Sequence, residues 1–347
     1  MSNVGNNLAS LQVNKLLGTE GQEKDMDAKD FARQALGEKG AVSQVYWVAC
    51  GGSVIDLYPA HCLINATSKS IVSGIHTAAE FNAFPPAQLG TSSVVVTCSH
   101  SGGTPETIAA TRLAKERGAY VLTMTNRAGS KIDNGEWPCW VYEWEDDTPQ
   151  AARPAGFSLA FAAELMAAQD GYDGREALAR GLAQLDPIIA AAKPRVAADL
   201  GPRFVGLCQK HDFLYVLGSG PTFCQTYGFA ICSLMEMQWQ NCSYVNSAEY
   251  FHGPFECTED GVFYFLQKGA GANRAIDERA ERFLKTHTDD LVVLDSASYG
   301  MADVDESVRT YLDPIFFYEM NVTLRGERGK AFDHDPDVRR YMGVVEY

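Results

Sequence analysis

The chain of 347 residues has no long apolar run, few cations and no cysteine pair in a metal or redox spacing. No window approaches the roughly eighteen apolar residues that a bilayer-spanning helix needs, so no membrane span is expected. The opening MSNVGNNLASLQVNK has no charged segment leading into an apolar one, so no secretory signal is read there and the expected location is cytoplasmic. Lys and Arg total 29 against 44 Asp and Glu, a formal net charge of −15. Such a surface repels nucleic acid and anionic lipid, and no basic run offsets it, so neither is expected as a partner. An anionic ligand must then be held locally, by backbone N–H groups, hydroxyls and a few placed cations. Nine cysteines stand singly at positions 50, 62, 98, 139, 208, 224, 232, 242 and 257, with no C-x-x-C. They read as buried thiols in a reducing compartment, and no zinc site, other metal or organic cofactor is expected. The P-loop pattern, the G-x-G-x-x-G dinucleotide fingerprint and the G-x-S-x-G hydrolase elbow are all missing.

What is present is alternation. The first 40 residues are polar and end in a predicted helix, DAKDFARQALGEKG. Over 41–155, apolar runs such as VSQVYWVAC and SSVVVTCS, read as strands, alternate with helical patterns such as GGSVIDLYPAHCLINA and TPETIAATRLAKERG. Residues 127–155 are irregular, with WPCWVYEW as a possible strand, and 156–210 form an Ala-rich helical connection. The series restarts over 211–325 with HDFLYVLGS, GPTFCQTYGFAICSLMEMQ, VFYFLQKG, NRAIDERAERFLKTH and DDLVVLDS, leaving a tail at 326–347. Gly51 and Gly218 match at an offset of 167; Glu80 and Glu249, and Ser99 and Lys268, match at 169. A near-constant offset points to an internal duplication. The expected fold class is α/β, with two tandem flavodoxin-like subdomains. Each is a parallel sheet with helices on both faces.

Ligands of open parallel sheets sit outside the carboxyl ends of the strands. At one such end the sequence reads VVVTCSHSGGTPET, residues 94–107. Amides around Ser101, Gly102 and Gly103, the helix start at Thr104-Pro105, and the hydroxyls of Ser99, Ser101 and Thr104 suit a phosphate dianion. The alternative is an ordinary turn and cap. A second junction, Cys50-Gly51-Gly52-Ser53, also opens a helix after a strand, so Ser53 is a candidate for the same ligand. Glu236 lies in the apolar stretch FAICSLMEMQW, where partial desolvation would tune it for proton transfer; the alternative is a structural pairing with an arginine. His252 precedes Gly253-Pro254, which fixes its backbone, and is either a catalytic group or a loop histidine. His100 is expected to contribute mainly its backbone N–H. Glu249 is a candidate for orienting backbone or substrate hydroxyls.

Ser99 to Thr107 resemble the signature loop of sugar isomerase (SIS) domains. With VACGGS at 48–53, LMEMQW at 234–239, EYFHGPFE at 249–256 and RRYMGVVEY at 339–347, the chain is similar to bacterial fructosamine-6-phosphate deglycases and, in layout, to the isomerase part of glucosamine-6-phosphate synthase. That resemblance implies phosphate binding by Ser53, Ser99, His100, Ser101 and Thr104, substrate contact by Gly51, Gly52 and Glu249, and catalysis by Glu236 and His252. It implies a homodimer, or a higher oligomer, with the histidine entering from the neighbouring subunit and the tail over the site. The implied substrate is a phosphosugar–amino acid conjugate, cleaved to hexose 6-phosphate and amino acid. Aldose–ketose isomerisation, aminosugar-phosphate deamination and non-catalytic phosphosugar sensing are the alternatives.

Overall fold

The computed structural model describes residues 26–346. The chain divides into two compact units, Met1–Asp186 and Pro187–Tyr347.

In the first unit, α1 (Ala28–Lys39) starts at a capping box in which Asp27 and Asp30 each accept the other's backbone N–H. Five strands follow: β1 (Gln44–Ala49), β2 (Val72–Thr77), β3 (Ser93–Cys98), β4 (Tyr120–Thr125) and the short β5 (Cys139–Val141). They pair in parallel in the order β2-β1-β3-β4-β5. Every residue of β3 and β4 is buried, as expected of strands covered on both faces. The crossovers are α2 (Gly52–Thr67), α3 (Ala78–Ala83) and α4 (Pro105–Glu116). Helix α4 buries Thr107, Ala110, Thr111 and Ala114, one small-residue stripe at helical spacing. The Ala-rich stretch forms α5 (Pro154–Asp170), α6 (Arg175–Asp199) and α7 (Gly201–Lys210), and the border between the units falls within α6.

The second unit repeats the plan. Strands β6 (Phe213–Gly218), β7 (Asn241–Asn246), β8 (Phe263–Lys268) and β9 (Leu291–Asp295) pair in parallel in the order β7-β6-β8-β9. Their starts lie 169 to 171 residues beyond those of β1, β2, β3 and β4. The order within each sheet reverses at one point, between β1 and β3 and between β6 and β8. One landmark of the repeat is corrected: the counterpart of Gly51 is Gly220, not Gly218. Gly51 and Gly220 hold φ of +54° and +56° in matching strand-to-helix turns, whereas Gly218 closes β6.

Two helical segments differ from expectation. GPTFCQTYGFAICSLMEMQ is not one regular helix: a 3₁₀ turn (Gly220–Thr222) leads into α8 (Phe223–Gly228) and then a π-helix (Phe229–Glu236). After α9 (Arg274–His287), the chain enters α10, a 27-residue helix from Glu306 to Phe332 that passes unbroken through residues 325 and 326. The cysteines are also less uniformly buried than read: Cys98, Cys208, Cys224 and Cys242 are buried, four are half-buried and Cys257 is exposed. Among the described residues no helix is long and apolar enough to cross a membrane.

Candidate active site

The first unit gathers its hydroxyls at the switch point between β1 and β3. The buried Ser99 follows β3, and its Oγ lies 2.9 Å from Thr104 Oγ1. Gly102, at φ +65°, donates its N–H to the Ser99 carbonyl at 2.9 Å, closing the loop. Ser101 is exposed, and its Oγ accepts the Gly103 N–H at 3.3 Å. Thr104 precedes α4, but its side chain makes no cap to that helix. The first-turn N–H groups, which have no partner within the helix, are thus not satisfied by Thr104. Pro105 takes the first helical position, where its missing N–H costs nothing. Across the switch point, Gly51 turns the chain so that Gly52 and Ser53 open α2, and the Ser53 hydroxyl bonds to the Cys98 thiol. Gly51, Gly52, Ser53, Ser99, Ser101 and Thr104 therefore belong to two loops on neighbouring strands.

Other groups at this edge were not singled out from the sequence. Cys98 also bonds to Tyr142, and burial pushes its thiol up to about 12, so it is an inert hub rather than a nucleophile. Tyr142 donates or accepts at His100 Nδ1, 3.0 Å away. The His100 ring packs against Tyr142 and Trp144, which strips water from it. That desolvation and then the Arg127 charge hold its imidazole below the ordinary range. His100 thus has a side-chain partner besides its backbone. Burial pushes the Asp56 carboxyl, one turn along α2 from Ser53, up to about 7, with Arg153 pulling the other way. The only sequence hint of these partners was the aromatic run WPCWVYEW.

In the second unit, Glu236 ends the π-helix. Such wide turns concentrate at functional sites. Three residues on, Trp239 has φ +51°, a left-handed conformation that is costly for a bulky side chain. The Gln240 N–H reaches back to the Leu234 carbonyl at 2.9 Å and fixes the bend. Glu236 is partly buried, and it has the arginine partner that the alternative reading named. Its side chain is 24% exposed and paired with Arg339, whose Nε donates to Oε1 at 3.0 Å. The apolar neighbours in sequence point elsewhere, Leu234 into the core and Met235 outward.

His252 is exposed on the turn that follows β7, with its N–H on the Glu249 carbonyl at 2.9 Å. Glu249 is exposed too, so its recorded contribution to the turn is through its backbone. Tyr250 anchors this turn: it is 1% exposed and packs against Phe251, Tyr264 and Phe283. Glu236 precedes β7 and His252 follows it. Six extended residues span about 17–20 Å, so one chain places the two at opposite ends of a strand.

The second unit's own switch point is filled from within. Lys268, the counterpart of Ser99, is buried and pairs with Glu281 at 2.7 Å and Asp295 at 2.9 Å. Burial opposes its charge, but those two carboxylates hold its ammonium above the ordinary value. The Ala270 and Gly271 N–H groups, in the loop after β8, donate to Asp313 Oδ2 at 2.9 and 3.0 Å, and Ser296 Oγ donates to Oδ1 at 2.7 Å. Where the first unit offers open hydroxyls, the second holds a carboxylate of α10. Burial pushes Asp313 up to about 7 against these hydrogen bonds and the Arg309 charge. An acid whose folded pKa is raised loses stability as pH climbs from its unfolded value, near 3.8, through about 7. In Asp313→Asn the amide oxygen can accept the two N–H groups, and its NH₂ can donate to Ser296. The Tm of Asp313→Asn minus that of the parent should therefore rise between pH 5 and pH 8, by roughly 4–8 °C. Thermal melts at the two pH values check this, and a pH-independent gap would contradict the assignment.

Two parallel sheets of matching order, with a hydroxyl-rich loop at the first switch point, define a phosphosugar-isomerase-like α/β protein. Residues 66–142, which include that loop, match the SIS domain family. The chain is 34% identical over 306 residues to a fructosamine deglycase of Bacillus subtilis (strain 168), covering 88% of this chain and 93% of that one. It is 28% identical over 314 residues to a fructoselysine 6-phosphate deglycase of Escherichia coli (strain K12), covering 89% and 88%. A Bacillus subtilis crystal structure described as a candidate phosphosugar isomerase superposes with TM-score 0.89 at 32% identity, over 98% of this chain and all of that one. The C-terminal domain of a Francisella tularensis glucosamine-fructose-6-phosphate aminotransferase shares the fold, with TM-score 0.69 at 14% identity over 92% of this chain and 94% of that one. The chain belongs to the SIS family of phosphosugar deglycases and isomerases.

Proposed function

We propose that this enzyme is a deglycase for 6-phosphorylated Amadori conjugates of sugar and amino acid, releasing hexose 6-phosphate and the free amino acid. The observation that carries the reading is that a chain 34% identical to a fructosamine deglycase has a hydroxyl-rich loop within its SIS match and carries Glu236 and His252. Phosphate is held by Ser53, Ser99, Ser101 and Thr104 and the amides of residues 100–103, including that of His100. Gly51 and Gly52 let backbone approach the sugar, and Glu249 shapes the turn that presents His252. Anchoring the phosphate lowers the entropic cost of aligning the reacting carbons.

His252 assists ring opening by proton transfer. Glu236 removes a proton from the carbon that bears the amine. The C–H electron pair becomes the C=C bond of an enaminol as the neighbouring carbonyl oxygen gains a proton. Reprotonation at that neighbouring carbon leaves a Schiff base, and water adds to its carbon as the amine departs. The separation of Glu236 and His252 along β7 supports a homodimer in which each site takes its histidine from the other copy. Incubation with 6-phosphofructosyl amino acids should yield stoichiometric hexose 6-phosphate and amino acid. Glucosamine 6-phosphate and plain ketose 6-phosphates should be turned over at least about 100-fold more slowly. A coupled dehydrogenase assay with amino-acid chromatography checks both. Faster release of ammonia from glucosamine 6-phosphate would favour the deaminase alternative.

A further inference from the structure

Beyond α10 the chain turns at Asp333, with φ +48°, and returns to the segment that follows Glu236. His334 packs edge-on to Trp239 with ring centroids 4.6 Å apart, and the Arg340 guanidinium lies 4.0 Å over the same indole. Arg339 is held between these two anchors, and its Nη1 also donates to the Pro336 carbonyl. The guanidinium is thereby delivered to Glu236, with Nε 3.0 Å from Oε1 and the Arg339 side chain 19% exposed. The neighbouring cation Arg328 is committed elsewhere: it is buried and bonded to Gln238 and Gln240.

As a stabilising contact this pair gains little, because both side chains remain partly hydrated and open to screening by salt. Its placement has a chemical consequence, however. A guanidinium on Oε1 occupies a lone pair of the carboxylate that the deglycase mechanism uses as its base. A guanidinium carries five donors in a planar fork and exchanges one carboxylate for another readily. In the substrate, only the amine nitrogen and the α-carbon separate the proton-yielding carbon from the amino acid's carboxylate.

We propose that Arg339 is the receptor for the α-carboxylate of the substrate's amino-acid part, and that its transfer from Glu236 to that carboxylate frees Glu236 to take the proton. This rests on the deglycase reading and narrows it: the preferred substrates are conjugates through the α-amine. A conjugate through a lysine side-chain amine carries its carboxylate several carbons further away. Arg339 is then a specificity-determining residue.

The test compares 6-phosphofructosyl glycine with 6-phosphofructosyl methylamine, which lacks only the carboxylate. For the parent enzyme kcat/KM should favour the glycine adduct by about 10–100-fold, the worth of a charge-assisted hydrogen-bonded pair. In Arg339→Met, which keeps the length of the side-chain stem, that ratio should fall to near one. Arg339→Lys should be intermediate, because a point cation lacks the fork. A residue serving only to hold the tail would alter both substrates equally and leave the ratio unchanged, which would overturn the assignment. Equal turnover of the two adducts by the parent enzyme would overturn it as well while leaving the deglycase reading standing. Turnover of neither would remove both.

Discussion

Glu236→Gln should lower kcat on a 6-phosphofructosyl amino acid by about 10²–10⁴-fold, the usual worth of a positioned proton acceptor. KM should change little, because the proposed mechanism assigns the phosphate to the hydroxyls and amides of Ser53 and residues 99–104 and not to Glu236. The substitution keeps the shape of the side chain, and the amide oxygen still accepts from Arg339 Nε. The π-helix and the left-handed Trp239 should therefore survive, and thermal melts should match the parent within a degree or two. The same variant tests where the histidine comes from. With Glu236 and His252 at opposite ends of β7, a mixture of Glu236→Gln and His252→Ala chains should regain activity that neither has alone. Random pairing leaves one intact site in half of the dimers, so recovery should approach about a quarter of the parent rate. Failure of the mixture to recover, with subunit exchange demonstrated, would mean that both groups act within one chain.

Gly102→Ala should reduce kcat/KM by about 10²-fold or more, whereas Gly103→Ala should cost less than about 5-fold. The two glycines are neighbours in the same loop but differ in what surrounds them. Gly102 sits at φ +65°, and an added Cβ would collide with the Ser130 side chain, its Cβ as well as its Oγ. Left-handed backbone costs alanine about 1–2 kcal/mol before that clash is counted. Relief requires this loop or the Ser130 turn against it to move, and a shift of the loop carries the Ser99–Thr104 hydroxyl pair with it. At Gly103 the nearest atom to an added Cβ is Ser101 Oγ at 3.8 Å, an ordinary contact. Steady-state kinetics on both variants, with circular dichroism to confirm folding, separates loop geometry from loop composition. Equal losses would show that the loop tolerates no side chain at all, and equal retention that its shape is not what holds the substrate.

Much of this architecture can be read from the sequence because buried parallel strands advertise themselves. VVVTC and VFYFLQ are apolar runs bounded by glycine and hydroxyl clusters, and the near-constant spacing of such runs exposed the repeat. The hydroxyl loop was legible for the same reason: its small residues follow a strand that could only be internal. The surroundings of Glu236 were not. A period of 3.6 residues places Glu236 among its apolar neighbours, but the π-helix winds more widely and turns the carboxylate out toward the tail. Its partner Arg339 lies 103 residues further on, beyond the reach of any local pattern. The link from Cys98 through Tyr142 to His100 was hidden likewise, because it joins strand ends that only the sheet order brings together. Asp313 stands before Pro314 inside α10, and no local pattern ties that Asp-Pro step to the Ala270 and Gly271 amides, which lie far from it along the chain.

That inward acid changes what the duplication has left behind. In the first unit the equivalent loop is tied only to itself, Ser99 to Thr104 and Gly102 to Ser99. By lodging a permanent guest of its own, the second half keeps the corresponding bend in order at all times. It can thus serve as a standing foundation for the segments it carries, the π-helix with its glutamate and the returning tail, whether metabolite is scarce or abundant.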